Sequence, residues 1–118
     1  MAFIAEQLAL EFIRELRPLV TQIRMHDRDL AEQITTAGSS VGLNLPEGRR
    51  RAGRDRLHLW RVALGSASEA LSALRVAEAW GYVAEEALGP ALALGDQVCA
   101  VTWRLVHPAP TAAPARGR

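Results

Sequence analysis

Leu57-His-Leu-Trp-Arg-Val-Ala-Leu-Gly-Ser-Ala-Ser-Glu-Ala-Leu-Ser-Ala-Leu74 is the stretch on which the fold turns. Leu57, Trp60, Leu64, Ala67, Leu71 and Leu74 recur at steps of three and four, the seam spacing of antiparallel bundles and coiled coils. A second stripe, Leu59, Ala63, Ser66, Ala70, Ala73 and Ala77, runs beside it and is nearly all small residues. A helix with two apolar stripes needs two neighbours, both within the chain or one in another subunit. The small stripe Ala63, Ser66, Ala70, Ala73 and Ala77 exceeds what one seam requires and is the expected intersubunit face. Gly81 after Trp80 supplies the C-cap that ends this helix.

Upstream, residues 2–26 carry Ala5, Leu8, Phe12, Leu16, Leu19, Val20 and Ile23 at helical spacing. Pro18 interrupts them. A proline inside a helix removes one hydrogen bond and costs ~3 kcal/mol, which predicts a kink or break near Leu16–Arg17. Asp29-Leu30-Ala31-Glu32 has capping-box form and predicts the start of a second helix there. Its stripe is Leu30, Ile34, Ala37, Val41 and Leu45, but Thr35, Thr36, Gly38, Ser39, Ser40, Gly42 and Asn44 are poor helix formers, so packing must hold it. Pro46 and Gly48 predict its end or a bend. A fourth helix covers about 84–106, with Leu88, Ala91, Leu92, Gly95, Val98, Cys99, Thr102, Leu105 and Val106 on its stripe, and Gly89-Pro90 splitting off the first turn. The sum is an all-α, antiparallel up-down-up-down four-helix bundle over residues 1–107. Residues 108–118, with three prolines and no large apolar side chain, read as a disordered Pro/Ala/Arg tail.

Composition agrees. The 118 residues suit one domain, and Ala, Leu and Arg supply 51 of them against 12 Val plus Ile, a balance that favours helix. All fourteen basic side chains are Arg, and thirteen acids leave a net charge of +1, which excludes a histone-like polycation and an acidic solvating tail. Cys99 is the lone cysteine, which excludes an intrachain disulfide framework and a CxxC metal site. No apolar run approaches the ~18 residues that span a bilayer. Residues 1–6 lack the basic start and apolar core of a signal peptide, so a cytoplasmic setting is expected.

Catalytic chemistry finds no constellation. Ser39, Ser40, Ser66, Ser68 and Ser72 lie in no Gly-x-Ser-x-Gly turn and read as small helix-contact residues. Cys99 reads as a buried, inert thiol. His26, Asp27 and Asp29 lack the Glu-x-x-His pairs of a bundle-core metal site, and His58 and His107 stand alone. No enzyme activity, cofactor or metal is expected. Trp60, Trp80, Trp103 and Tyr82 read as core packing rather than a ligand pocket.

The arginine run is different. Arg49, Arg50, Arg51, Arg54, Arg56 and Arg61 put six guanidinium groups into thirteen residues, and helical spacing places Arg50, Arg54 and Arg61 near one face with His58. Guanidinium forks match phosphate oxygens in pairs, so one reading is a nucleic-acid backbone contact. The other is a solvated helix start paired with Glu47, Asp55, Asp27 or Asp29. A pI of 8.0 lies below that of a dedicated binder.

The stretch Gln33-Ile-Thr-Thr-Ala-Gly-Ser-Ser-Val-Gly-Leu-Asn-Leu-Pro-Glu-Gly-Arg-Arg50 resembles the bacterial four-helix-bundle family of ribosomal RNA intervening-sequence proteins. Asn44, Glu47 and Gly48 occupy that family's Asn–hydrophobic–x–Glu–Gly motif. Ala63, Leu64, Gly65, Ser66 and Glu69 are in register with its third helix, and Gly81-Tyr82 with its Gly-Tyr before helix four. Pro46 and Thr35-Thr36 depart from the pattern. The resemblance covers about residues 5–106. It implies a bundle assembled as a homopentamer. It also implies kinship with the accessory variability determinants of diversity-generating retroelements, which bind a reverse transcriptase and nucleic acid. Asn44 and Glu47, three residues apart, are expected to bond exposed backbone groups at the bend before Gly48.

Two function classes follow. One is a non-catalytic oligomeric scaffold touching RNA, DNA or a reverse transcriptase through the Arg patch. The other is a self-assembling protein-interaction module with no nucleic-acid role.

Overall fold

Four α-helices carry the chain: α1 (Ile4–Arg24), α2 (Arg28–Arg49), α3 (Gly53–Ala79) and α4 (Gly89–Val106), with a 3-10 turn at Glu85–Leu88 leading into α4. They come from a computed structural model that describes residues 2–110, among which there is no strand. Most of the expected tail, from Thr111 onward, lies outside the described residues. The helices pack in a closed cycle, α1 on α2, α2 on α3, α3 on α4 and α4 back on α1. Trp60 bonds the Leu45 carbonyl and Ser66 bonds Ser40, so α3 climbs as α2 descends. With connections this short, the cycle is an up-down-up-down bundle. No described helix is long and apolar enough to cross a membrane.

The stripes land inside. Ala5, Ala9, Phe12, Leu16, Leu19 and Ile23 of α1 are buried against Leu30, Ile34, Ala37, Val41 and Leu45 of α2 and the buried faces of α3 and α4. Pro18 does not break α1, which runs unbroken to Arg24. Pro18 is exposed, so the Arg14 carbonyl deprived of its partner faces water, while buried Leu16 and Leu19 hold the helix down on either side. The cap of α2 is Asp27, not Asp29: its Oδ1 accepts the Leu30 N–H at 2.9 Å. Glu32 therefore does not complete a capping box and instead takes Arg24 at 2.6 Å. Nor do Pro46 and Gly48 stop α2, which continues to Arg49 because contacts from α3 hold its last turn.

The small stripe of α3 is covered within the chain. Ala63, Ala70 and Ala77 have no exposed surface, Ala73 has 6%, and Ser66 is half-buried with its hydroxyl on Ser40. α2 and α4 answer the two apolar stripes, and these alanines are core rather than a subunit face. α3 ends in a Schellman motif. The Gly81 N–H reaches the Glu78 carbonyl at 2.8 Å, the Tyr82 N–H reaches Ala77 at 2.9 Å, and Gly81 takes the φ of +81° that the motif needs. Pro90 sits in the first turn of α4, where its missing N–H costs nothing. Of the tryptophans, only Trp60 is core; Trp80 and Trp103 are 70% and 52% exposed, against the core reading of all three.

Candidate functional site

The junction of α2 and α3 carries all six expected arginines, Arg49 at the end of α2, Arg50 and Arg51 in the turn, and Arg54, Arg56 and Arg61 on α3, and the structure sorts them by their contacts. Arg56 is a clamp. Its Nε donates to the Gly48 carbonyl at 3.1 Å, beside the Arg51 N–H that already reaches that oxygen, and its Nη2 donates to the Arg49 carbonyl at 2.9 Å, so a side chain from α3 bonds the last two carbonyls of α2. The same guanidinium lies 5.3 Å from the Trp60 ring centroid. Trp60 Nε1 donates to the Leu45 carbonyl at 3.1 Å, and the ring lies flush on Gly48, where a Cβ would come within 2.6 Å of it. Only glycine leaves room for that ring. The clamp also places positive charge at the negative end of the α2 dipole.

Arg50 and Arg51 share one carboxylate. Arg50 Nη2 meets Glu47 Oε1 at 2.7 Å and Arg51 Nε meets Oε2 at 3.0 Å, with Asp55 3.8 Å from Arg51. Hydrogen bonds from Arg50, then Arg51, hold the Glu47 carboxyl below its usual pKa, so it stays charged. Exposed pairs of this kind contribute roughly 0–1 kcal/mol, so a phosphate can displace them. The third kind is open. Arg54 and Arg61 are exposed, make no ion pair among the described residues, and stand with exposed His58 on successive turns of α3. Arg49 lies between the kinds, exposed but with its guanidinium 4.9 Å from the Phe3 ring centroid. Six arginines against Glu47 and Asp55 leave an excess of four positive charges on this junction in a chain of net +1. Phe3, tilted against Trp60 at 6.1 Å, is the site residue that sequence reasoning missed. The up-down topology, which brings the start of α1 beside the end of α2, is the signal that could have found it.

Of the other motif residues, Asn44 bonds within the bundle and Glu69, among the described residues, does not. Asn44 Nδ2 donates to the Ser40 carbonyl at 2.9 Å and to Ser40 Oγ at 3.1 Å, and Ser66 Oγ donates to Ser40 Oγ at 2.8 Å. This polar seam ties α2 to α3. It replaces the expected contacts to a bend, because α2 does not end there. Glu69 is exposed and makes no ion pair among the described residues.

Elsewhere, a groove of about 270 Å³ opens between α1 and α2, floored by Ile13, Leu16, Val20 and Ile34. Two hydroxyls on its rim are spent on their own helices, Thr21 on Arg17 and Thr35 on Ala31. Cys99 is half-buried on α4, 3.9 Å from Ser68 Oγ, and burial raises its pKa. No group of three His, Cys, Asp or Glu able to hold a metal occurs among the described residues.

The model of the 23S rRNA-intervening sequence protein family matches residues 2–102. A crystal structure of a protein of unknown function from the S23 ribosomal protein family, from Bacteroides thetaiotaomicron VPI-5482, superposes with a TM-score of 0.78 at 19% identity. The match covers 86% of this chain and 97% of that one. At that identity the likeness speaks for the fold alone. No curated protein matches the chain. With the family model spanning α1, α2, α3 and most of α4, the chain belongs to the family of 23S rRNA-intervening sequence proteins.

Proposed function

We propose that this protein is a non-catalytic oligomeric scaffold that grips nucleic-acid phosphates through Arg49, Arg50, Arg51, Arg54 and Arg61, with Arg56 as the clamp beneath them. The observation that carries this reading is the excess of four positive charges on one exposed, internally braced turn of a nearly neutral chain. The field is local, and phosphate is the group that guanidinium forks fit. The family's name points to ribosomal RNA as the polyanion, and the cytoplasm is the setting in this reading.

Assembly makes a weak patch useful. In a homopentameric ring, the assembly that the family resemblance implies, the patch repeats five times and phosphate contacts reinforce one another. With the alanine stripe of α3 covered, the subunit contact in this reading is the α1–α2 groove, with exposed Leu10 of α1 and Leu43 of α2 as further apolar surface on those two helices. A reverse transcriptase is the polypeptide partner in this reading. The competing reading, a self-assembling interaction module with no nucleic-acid role, draws on Glu47, which already occupies two of the arginines.

A salt-dependent gel shift on structured RNA separates the two. The scaffold reading expects binding that weakens with salt, a slope near 0.9 per phosphate neutralised on duplex DNA, and loss of affinity in Arg50→Ala with Arg54→Ala at unchanged helicity and mass. Absence of binding at low salt sinks it. Light scattering tests the ring, and a monomer mass at micromolar concentration rejects it.

A further inference from the structure

The opposite end of the bundle carries a second exposed feature of contrary character. There the turn between α1 and α2 meets the turn that follows α3. The His26 ring stacks on Tyr82 with centroids 5.1 Å apart and planes 7° from parallel, and Tyr82 stacks on Trp80 at 6.5 Å and 17°. The base of this stack is pinned. The Tyr82 N–H closes the Schellman motif on Ala77, and the Tyr82 carbonyl accepts Gln22 Nε2 at 3.2 Å. Its outer member is left in water, since Trp80 is 70% exposed, and Met25, next to His26, is 81% exposed. Large exposed aromatic and methionine side chains on a fixed backbone are what interfaces bury at their centres.

The surrounding charge selects the partner. Residues 24–32 and 75–86 hold Asp27, Asp29, Glu32, Glu78, Glu85 and Glu86 against Arg24, Arg28 and Arg75, an excess of three negative charges. Glu32 is spent on Arg24 and Asp27 on capping α2, whereas Asp29, Glu78, Glu85 and Glu86 are in no ion pair among the described residues. Such a surface repels a phosphate backbone. It attracts a guanidinium, which stacks on the electron-rich faces of Trp and Tyr and pairs with carboxylates at the same time.

We propose that this end is the docking site for an arginine-rich segment of a partner polypeptide, whose guanidinium groups stack on Trp80 and pair with Glu78, Glu85 and Glu86. A second copy of the chain is a poorer occupant. In its arginine junction Arg56 is bound to backbone carbonyls, Arg50 and Arg51 are held by Glu47, and Arg49 lies over Phe3, which leaves only Arg54 and Arg61 open, fixed two turns apart on α3. A pliant basic segment can bring several unengaged guanidinium groups to one place. The inference does not rest on phosphate binding at the other end. If both hold, the bundle joins a polyanion at one end to a basic protein at the other.

Titration of the full-length protein into fluorescein-labelled nona-arginine, followed by anisotropy at low and moderate salt, tests it, with nona-lysine in parallel. Nona-arginine should bind more tightly than nona-lysine. Trp80→Ala should weaken nona-arginine about tenfold and close most of that gap, while Trp80→Phe should retain most of the affinity. Glu85→Gln with Glu86→Gln should weaken both peptides and flatten the salt dependence. Arg50→Ala with Arg54→Ala should leave peptide affinity unchanged while lowering RNA affinity, so failure at one end is distinguishable from failure at the other. The proposal is overturned if nona-arginine does not bind at low salt, or binds folded Trp80→Ala as tightly as the parent. It is equally overturned if the protein self-associates and both Trp80→Ala and the Arg50/Arg54 double variant reduce the mass, because the occupant is then a second copy.

Discussion

The two ends of the bundle are made of like parts, helix termini joined by short turns around a tryptophan, yet they put those parts to opposite uses. At the α2–α3 junction Trp60 is 8% exposed, its N–H is spent on Leu45, and Arg56 packs over it while bonding two carbonyls. At the far end Trp80 is 70% exposed and rests on Tyr82 at the edge of the fold. One ring is a keystone and the other is an offered surface. Residue type does not separate them; the separating fact is whether backbone carbonyls and a facing glycine close around the ring.

The largest expected effect tests this contrast directly. Trp60→Ala should cost about 3–5 kcal/mol, the range for a buried large aromatic, since it also removes the indole bond to the Leu45 carbonyl and loosens Arg56. Trp80→Ala should change stability by no more than ~0.5 kcal/mol, as exposed surface positions do. Paired thermal melts check both. Equal losses would erase the distinction between the two ends.

Next comes the contrast within the arginine run. Arg56→Ala should lower stability by about 1–2 kcal/mol, because the Arg49 carbonyl loses its donor, the Gly48 carbonyl keeps only the Arg51 N–H, and the Trp60 ring loses its cover. Arg54→Ala should leave the melt unchanged and act only on polyanion affinity. If instead Arg54→Ala destabilises as much as Arg56→Ala, the division into clamp and open arginines fails.

Much of this fold was legible and some of it was not, for reasons that particular residues make plain. The stripes Phe12-Leu16-Leu19-Ile23 and Ile34-Ala37-Val41-Leu45 are periodic, and periodicity reports burial directly, so four helices could be read before any contact was known. Pro18, Pro46 and the Asp27/Asp29 choice were misread because each is local evidence that packing overrides. Proline costs one hydrogen bond, but buried neighbours outweigh it at exposed Pro18, and the contacts of α3 on the last turn of α2 outweigh it at half-buried Pro46. Two aspartates two residues apart carry identical capping chemistry, and only the path of the turn selects Asp27. The alanine stripe of α3 was visible as a second contact face, but spacing along one helix cannot say whether its partner lies in the same chain. For the site, the cluster of six arginines was legible and its division was not, because Arg56 acts on carbonyls seven and eight residues back, across the turn.

A smaller effect sharpens the polar side of the same junction. Asn44→Ala removes the donor to the Ser40 carbonyl and hydroxyl, and Ser66→Ala removes the other contact to that hydroxyl. Each should lower stability by about 1 kcal/mol, and the double variant by less than the sum, since both bonds meet at Ser40. Additive losses in thermal melts would show that the seam is two separate bonds rather than one network.

The smallest expected effect concerns Glu47 and pH. Its carboxyl is held below the usual 4.5 by Arg50 and Arg51, so folding favours its charged form. A lowered carboxyl pKa contributes stability that is fully present above the unfolded value of 4.5 and is lost as pH falls through the lower folded value. The group is exposed, so the stability change is slight. Its consequence for charge is larger, since each protonated Glu47 frees Arg50 and Arg51 and leaves the junction one unit more positive. Melting temperatures of wild type and Glu47→Gln should therefore differ slightly at pH 7 in favour of wild type and converge as pH falls from 4.5 through the lowered folded value. At pH 7, Glu47→Gln should bind structured RNA more tightly than wild type, with a steeper salt slope, because two more guanidinium groups reach phosphate. If Glu47→Gln binds RNA no better than wild type while Arg50→Ala with Arg54→Ala binds worse, Arg50 and Arg51 reach phosphate without leaving their carboxylate. The contact would then be made by an intact Glu47-braced turn.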